Sequence, residues 1–311
     1  MDRLWRTACR FVVGLVACIC FSVNAQAGSI VLVGYWPPTN EMLRPFSTSA
    51  EQNPDGWTGQ NWNGLGHDVY AFFPEFLPDG NPFNDPFGSA GFIGSLASDF
   101  RVDYQDTSTD FWAVMDMLDP VGVITFSWGG DDDRWEIERV EGGHAGGSTA
   151  AFDWEGDRNG ESLPTQDSID PRSWDAISTY RNGNQLQSQL PIDNIVAATS
   201  ALGIGSVFID ETGTSGNYLS GFLGLHGLYY NLYNESNLAA GHIHVGSGLS
   251  VAHARTLAEV TLNETLLHIN NPSPVPDPGS PLLPAIGLAG LALYRRRCST
   301  SRQTDRVPRQ R

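Results

Sequence analysis

The chain of 311 residues contains no lysine, so its 18 basic residues are all arginine. Arg3, Arg6 and Arg10 stand at the start and seven more from Arg295 onward, which leaves eight for residues 28 to 294. Setting Asp2 and Asp305 aside from the 35 acids leaves 33, so that stretch carries a net charge of about −25. A body of that sign repels nucleic-acid backbones and anionic lipid, which excludes both as partners of the body. Its charge fits solubility outside a cell. Cysteine is nearly as scarce: the four residues Cys9, Cys18, Cys20 and Cys298 all lie towards the ends, and residues 28 to 294 contain none. That excludes disulfide staples and thiol chemistry in the body, which must therefore rest on a hydrophobic core. With 41% hydrophobic residues it has the material for one. No internal repeat is visible between residues 28 and 270.

Both ends read as sorting segments. Three arginines, the apolar run "FVVGLVACICF" and "AQA" at Ala25 to Ala27 have the three-part layout of a secretory signal peptide over residues 1 to 27. A lipoprotein reading with Cys18 modified is the weaker alternative. At the other end, a proline-rich linker over 271 to 281 precedes "LLPAIGLAGLALY" and Arg295, Arg296 and Arg297, with a polar basic tail over 298 to 311. Thirteen apolar residues are few for a stable span, which needs roughly 20. The arginines are expected to stay cytoplasmic, with the body across the membrane. This end resembles the PEP-CTERM sorting signal, with "VPDPG" (Val275, Pro276, Asp277, Pro278, Gly279) as the motif and Asp277 where glutamate is common. The resemblance implies a Gram-negative bacterium, signal peptidase and an exosortase-like enzyme as processing partners, and transient anchoring through the 282 to 297 helix. Delivery to the cell surface or extracellular matrix would follow. An ordinary tail anchor is the alternative.

Between the ends, apolar strand-like runs alternate with helical patterns, the mark of an α/β domain. "SIVLVGY", "HDVYAFFPEF", "VGVITFSWGG", "GSVFID" and "GHIHVG" read as strands. "STDFWAVMDMLDP" reads as a helix capped by Ser108, with Phe111, Val114, Met115 and Leu118 on its apolar face. "LPIDNIVAATSALG" places Ile192, Ile195, Val196 and Leu202 on one face, with Gly203 as the C-cap. "NYLSGFLGLHGLYYNLY" and "SGLSVAHARTLAEVTLNETLLHI" complete the helices. The expected fold is a single α/β domain over 28 to 270, with a mostly parallel central sheet, helices on both faces and the site at the strand ends. Residues 129 to 189 read as a long polar connection, either functional or partly mobile.

Three places could carry chemistry. Glu136 and Glu138 sit two apart after a glycine-rich strand exit; glutamates in such a loop are more often solvated than catalytic. His242 and His244 alternate along a strand and share a face, but no third metal ligand is obvious beside them, and a buried, hydrogen-bonded ring is the other reading of one of the pair. The turn "IDETGTSGNYLSGF" joins a strand to a helix, a position that seats nucleophiles. The acidic run "GGDDDR" lacks the spacing of a calcium loop and reads as solvated. Neither a metal nor another cofactor is expected.

Taken in order, "VLVGYWPP", "DPVGVITFSWGG", "IERV", "LPIDNIVAA", "ETGTSGN" and "AGHIHV" resemble segments of the pyroglutamyl peptidase I family over residues 29 to 270. The resemblance implies a pyroglutamyl-peptidase-like fold, a peptide or small amide ligand, and a pocket including Tyr35 and Trp36. It matches Glu138 to the family's catalytic glutamate and His244 to its histidine. Counted from Gly213 and Thr214, Asn217 falls where the family has its cysteine nucleophile. An amide nitrogen is resonance-bound and has no proton that a histidine can remove near neutral pH. Two readings stand: a hydroxyl of Ser215, Thr214 or Ser220 substitutes, or the fold serves as a non-catalytic binding or matrix protein.

Overall fold

The computed structural model describes residues 28 to 35, 38 to 74, 78 to 81, 104 to 142, 185 to 213 and 218 to 271, all within one compact unit, Met1–Asn271. The expected signal peptide, linker motif, apolar C-terminal helix and tail lie outside the described residues. Among the described residues, no helix is long and apolar enough to cross a membrane.

In chain order the strands are β1 (Ser29–Gly34), β2 (Asp68–Phe72), β3 (Gly122–Trp128), β4 (Arg134–Glu138), β5 (Val140–Glu141), β6 (Leu186–Gln187), β7 (Ser206–Asp210) and β8 (Ala239–Val245). The helices are α1 (Thr39–Leu43), α2 (Tyr104–Leu118), α3 (Ile192–Ser200), α4 (Leu219–Tyr233) and α5 (Val251–Asn270). Six strands form one sheet in the order β2-β1-β3-β8-β4-β7. Every neighbouring pair is parallel except β4 with β8. Strands β5 and β6 make a separate antiparallel pair.

Because side chains alternate along a strand, each strand feeds two cores. Val31, Val33, Val123 and Ala240 point to one side, where they meet Phe111 and Met115 of α2 and Phe222 and Leu223 of α4. Ile30, Leu32, Ile124, Phe126 and Ile243 point to the other, against Leu43 of α1, Ile195 of α3 and Leu257, Leu262 and Leu266 of α5. Burial on both faces explains why β1 and β3 are almost continuously apolar in sequence. Helix α4 approaches β5 closely at Gly224, where a Cβ would lie 2.7 Å from Glu141 Oε1.

Three sequence expectations change. Helix α2 starts at Tyr104, so Ser108 lies inside it, buried, rather than at its cap; the Tyr35 hydroxyl is 2.5 Å from Thr107 Oγ1 and ties this first turn to the end of β1. Leu202 lies beyond the end of α3 and is 40% exposed, whereas Ile192 and Ile195 are buried as expected. The third change concerns residues 134 to 138, which form a strand inside the sheet and not a polar loop. Five residues preceded by three aspartates, with charge at alternate positions, carry too short a pattern to reveal an interior strand.

Helix α5 has the one side-chain cap described among these helices, Ser250 Oγ accepting from the His253 N–H at 3.2 Å. Ser250→Ala is expected to destabilise the domain by about 1 kcal/mol, since it leaves a first-turn N–H without that acceptor. Urea denaturation with an unchanged slope would check it.

Candidate active site

On the face covered by α4, the apolar residues give way to polar ones towards the C-terminal ends of β3 and β8. Thr125 and Ser127 of β3 lie opposite His242 and His244 of β8. His244 lies opposite Glu136 of β4, and Glu138 opposite Asp210 of β7. Four adjacent strands thus bring two histidines, two hydroxyls and three carboxylates to one buried stripe. Alternation keeps them together: Glu136 and Glu138 share a face, as do His242 and His244.

The centre is a pair formed by His244 and Glu138. His244 Nδ1 and Glu138 Oε1 are 2.7 Å apart, with Glu138 1% and His244 6% exposed. Burial, then the neighbouring carboxylates Asp210 and Glu136, push the Glu138 carboxyl up to about 10. Burial brings His244 down to about 4, against the opposing pull of Glu136 and Asp210. Glu138 therefore keeps its proton at neutral pH and His244 is an uncharged imidazole. With that proton directed towards Asp210, Oε1 accepts from Nδ1–H, and Nε2 carries the ring's lone pair. A neutral, oriented imidazole is the form that can accept a proton from a substrate or nucleophile.

His242 has a different role. It is fully buried, with Nδ1 2.7 Å from Thr125 Oγ1 and Nε2 2.9 Å from Ser127 Oγ. Thr125 donates its own proton to the Gly241 carbonyl at 3.2 Å, so its oxygen accepts from Nδ1–H and Ser127 donates to Nε2. Burial, and after it His244, hold its pKa well below the ordinary range. Its ring meets that of His244 edge-on, 4.8 Å between centroids. Both nitrogens are occupied, so His242 is a satisfied, supporting ring.

Glu136 points along the same face and accepts from Arg134 Nη1 at 3.0 Å, while Arg134 also holds the exposed Asp132. The glutamates read in the sequence as loop residues are thus buried ones, anchored by β4 between β7 and β8. Asp210 was missed as a member of the site. It closes β7 after "SVFI", and only the register with Glu138 reveals it.

The turn after β7 is held by Asp210, whose Oδ1 accepts from the Thr212 N–H and hydroxyl, both at 2.8 Å. Gly213 follows with φ +69, and a Cβ there would lie 2.7 Å from the Val140 carbonyl oxygen. Glycine is thus required both by conformation and by the closeness of the turn to β5. Of the expected nucleophile positions, Ser220 is buried in the first turn of α4. Thr214, Ser215 and Asn217 lie outside the described residues, as does Trp36 of the expected pocket. Tyr35 is fully buried on the α2 side of the sheet. The acidic residues 131 to 133 are engaged locally: Asp132 with Arg134, and Asp133 Oδ1 with the Ser206 hydroxyl at 2.9 Å.

Neither a family model nor a curated protein matches this chain. Solved structures do. Pyrrolidone carboxyl peptidase from Thermococcus litoralis superposes with a TM-score of 0.52 at 13% identity, over 79% of this chain and 96% of that one. A mutant pyrrolidone carboxyl peptidase from the hyperthermophile Pyrococcus furiosus gives 0.51 at 14% identity, over 78% of this chain and 99% of that one. The mostly parallel sheet with helices on both faces is the α/β fold of these peptidases, present here as a single domain.

Proposed function

We propose that this is an exported, surface-sorted protein with a pyroglutamyl-peptidase-like body that recognises an N-terminal pyroglutamyl or related small amide group without thiol catalysis. The observation that carries the reading is the buried His244–Glu138 pair, 2.7 Å apart, at the strand ends beside the turn after β7. Burying two ionisable groups costs several kcal/mol unless they satisfy one another, and a core of this size has no structural need for them. An oriented neutral imidazole suits an amide ligand, whether as a hydrogen-bonding group or as a base. The body supplies no cysteine, and Asn217 occupies the place that the family resemblance gives to the nucleophile.

A second reading follows from the same pair. His244 activates a hydroxyl of Ser215, Thr214 or Ser220, with Glu138 orienting the ring, and the protein hydrolyses such amides. Ser220 is favoured by its place in the first turn of α4, where the helix N-terminus stabilises developing negative charge. Release of a reporter from a pyroglutamyl amide by the purified exported protein separates the two readings. Turnover abolished in His244→Ala and reduced at least about 100-fold in one hydroxyl variant establishes the hydrolase. Saturable binding of pyroglutamate amide without turnover establishes the recognition protein. Neither binding nor turnover would refute both. For localisation, signal-peptide cleavage before Gly28 and loss of the segment after Gly279 are expected by mass spectrometry of the surface protein.

A further inference from the structure

The same stripe has the donors of a metal centre, and we propose that Glu136, Glu138 and His244 bind a divalent transition-metal ion of the zinc type. Each offers one ligand atom, and the three atoms lie within 4.8 Å of one another, all on buried residues. Ligand atoms around a zinc ion stand roughly 3.3 Å apart, given bonds of about 2.0–2.1 Å, so small side-chain rotations close the set. The backbone already fixes their direction: Glu136 faces His244 across the β4–β8 ladder, and Glu138 shares its face.

A second observation points to a cation. Glu138 Oε2 is sealed from water and accepts no hydrogen bond, and the Asp210 carboxylate stands beside it in register. In the metal-free site the Glu138 proton lies between the two carboxylates, and a bound cation takes its place. Arg134 reaches only the Glu136 end of the group. One imidazole nitrogen with two carboxylate oxygens suits zinc, whereas calcium seeks six to eight oxygens and magnesium keeps its water. Asp210, oriented by Thr212, adds charge from the adjacent strand. The ion displaces the Glu138 proton and takes a lone pair of the His244 ring, so an ion held through Nδ1 replaces the hydrogen bond to Glu138. Sequence spacing hid this centre, because Glu136 and Glu138 stand more than 100 residues from His244 in the chain and meet it only through the sheet.

The test is metal content, which does not depend on any turnover. The exported protein, stripped with chelator and dialysed against zinc, is expected to retain one ion per chain by elemental mass spectrometry. Glu136→Gln and Glu138→Gln should each weaken zinc at least about 100-fold in competition with a chromogenic chelator, with circular dichroism confirming the fold. Substituted cobalt should show visible d–d absorption that both variants lose. Exchange of His253, on the exposed start of α5, should leave affinity unchanged. Stoichiometric zinc unaffected by the two glutamate variants, equal retention of calcium, or no zinc retained by folded protein would each overturn the site. A folded chain that retains no zinc yet still hydrolyses or binds a pyroglutamyl amide would sink the metal centre alone. A zinc-loaded chain inert to such amides would sink the pyroglutamyl reading alone.

Discussion

Glu138→Gln is expected to make the chelator-treated protein more stable above pH 4.5, by on the order of 5 kcal/mol near pH 8. In the unfolded chain this carboxyl ionises at its ordinary value of 4.5, whereas in the fold it keeps its proton up to about 10. Between those values the unfolded state binds fewer protons than the native one, so stability falls as pH rises, by about 1.4 kcal/mol per unit. His244 acts in the opposite sense. Its ring is lowered to about 4, so between 4 and 6.5 the unfolded state binds more protons and stability rises with pH. The two slopes cancel from 4.5 to 6.5, which places a plateau there, with decline on the alkaline side due to Glu138. Glutamine keeps the shape, accepts from His244 Nδ1–H through its oxygen, offers an N–H₂ towards Asp210, and never ionises. The melting temperature at pH 8 should rise by roughly 10 °C, while at pH 4 the two proteins should melt together. A variant less stable than the natural protein at pH 8 would show that Glu138 is ionised in the fold and that its charge is held by His244.

Asn217→Cys is expected to produce thiol-dependent release from a pyroglutamyl amide, at least about 100-fold above the natural protein. The argument starts from chain position. Residue 217 is two residues before Leu219, the first residue of α4, and Tyr218 is extended, as at a helix entrance. A thiol that reaches the positive end of the dipole of this 15-residue helix has its pKa lowered, which favours the thiolate. The Asp210–Thr212 turn and Gly213 bring the preceding chain against β5, on the side of the sheet end that holds Glu138. His244 supplies the base, so His244→Ala in the cysteine variant should return the rate to background. Alkylation of the new thiol at pH 6, fast with His244 and slow without it, gives a reading independent of substrate choice. A folded variant with an ordinary, unreactive thiol would show that residue 217 does not approach His244.

Much of this architecture can be read in the chain because it is local. Runs such as "SIVLVG" and "GVITFSW" are almost continuously apolar, since both faces of a parallel strand are covered, and they needed no partner to be recognised. The alternation in "GHIH" showed that His242 and His244 share a face. What was not legible had its cause elsewhere in the molecule. Arg134 to Glu138 reads as a polar loop because the burial of Glu138 depends on distant residues, the His244 ring on β8 and Asp210 on β7, that its own short pattern does not show. The start of α2 was misplaced because Thr107 is buried by the Tyr35 hydroxyl, a contact between residues 72 apart.

The sequence by itself determined composition and chemistry: an acidic body without lysine or cysteine, an alternation of strands and helices, and a histidine and a glutamate where a base pair would stand. Only the tertiary structure decided which histidine is bonded on both nitrogens and which faces a carboxylate. It also decided that Asp210 belongs to the site and that Glu136 stands within ligand distance of His244. The physical reason is that side-chain alternation is a property of one strand, whereas protonation and ligation depend on the neighbours across the sheet, and those are set by strand order and register.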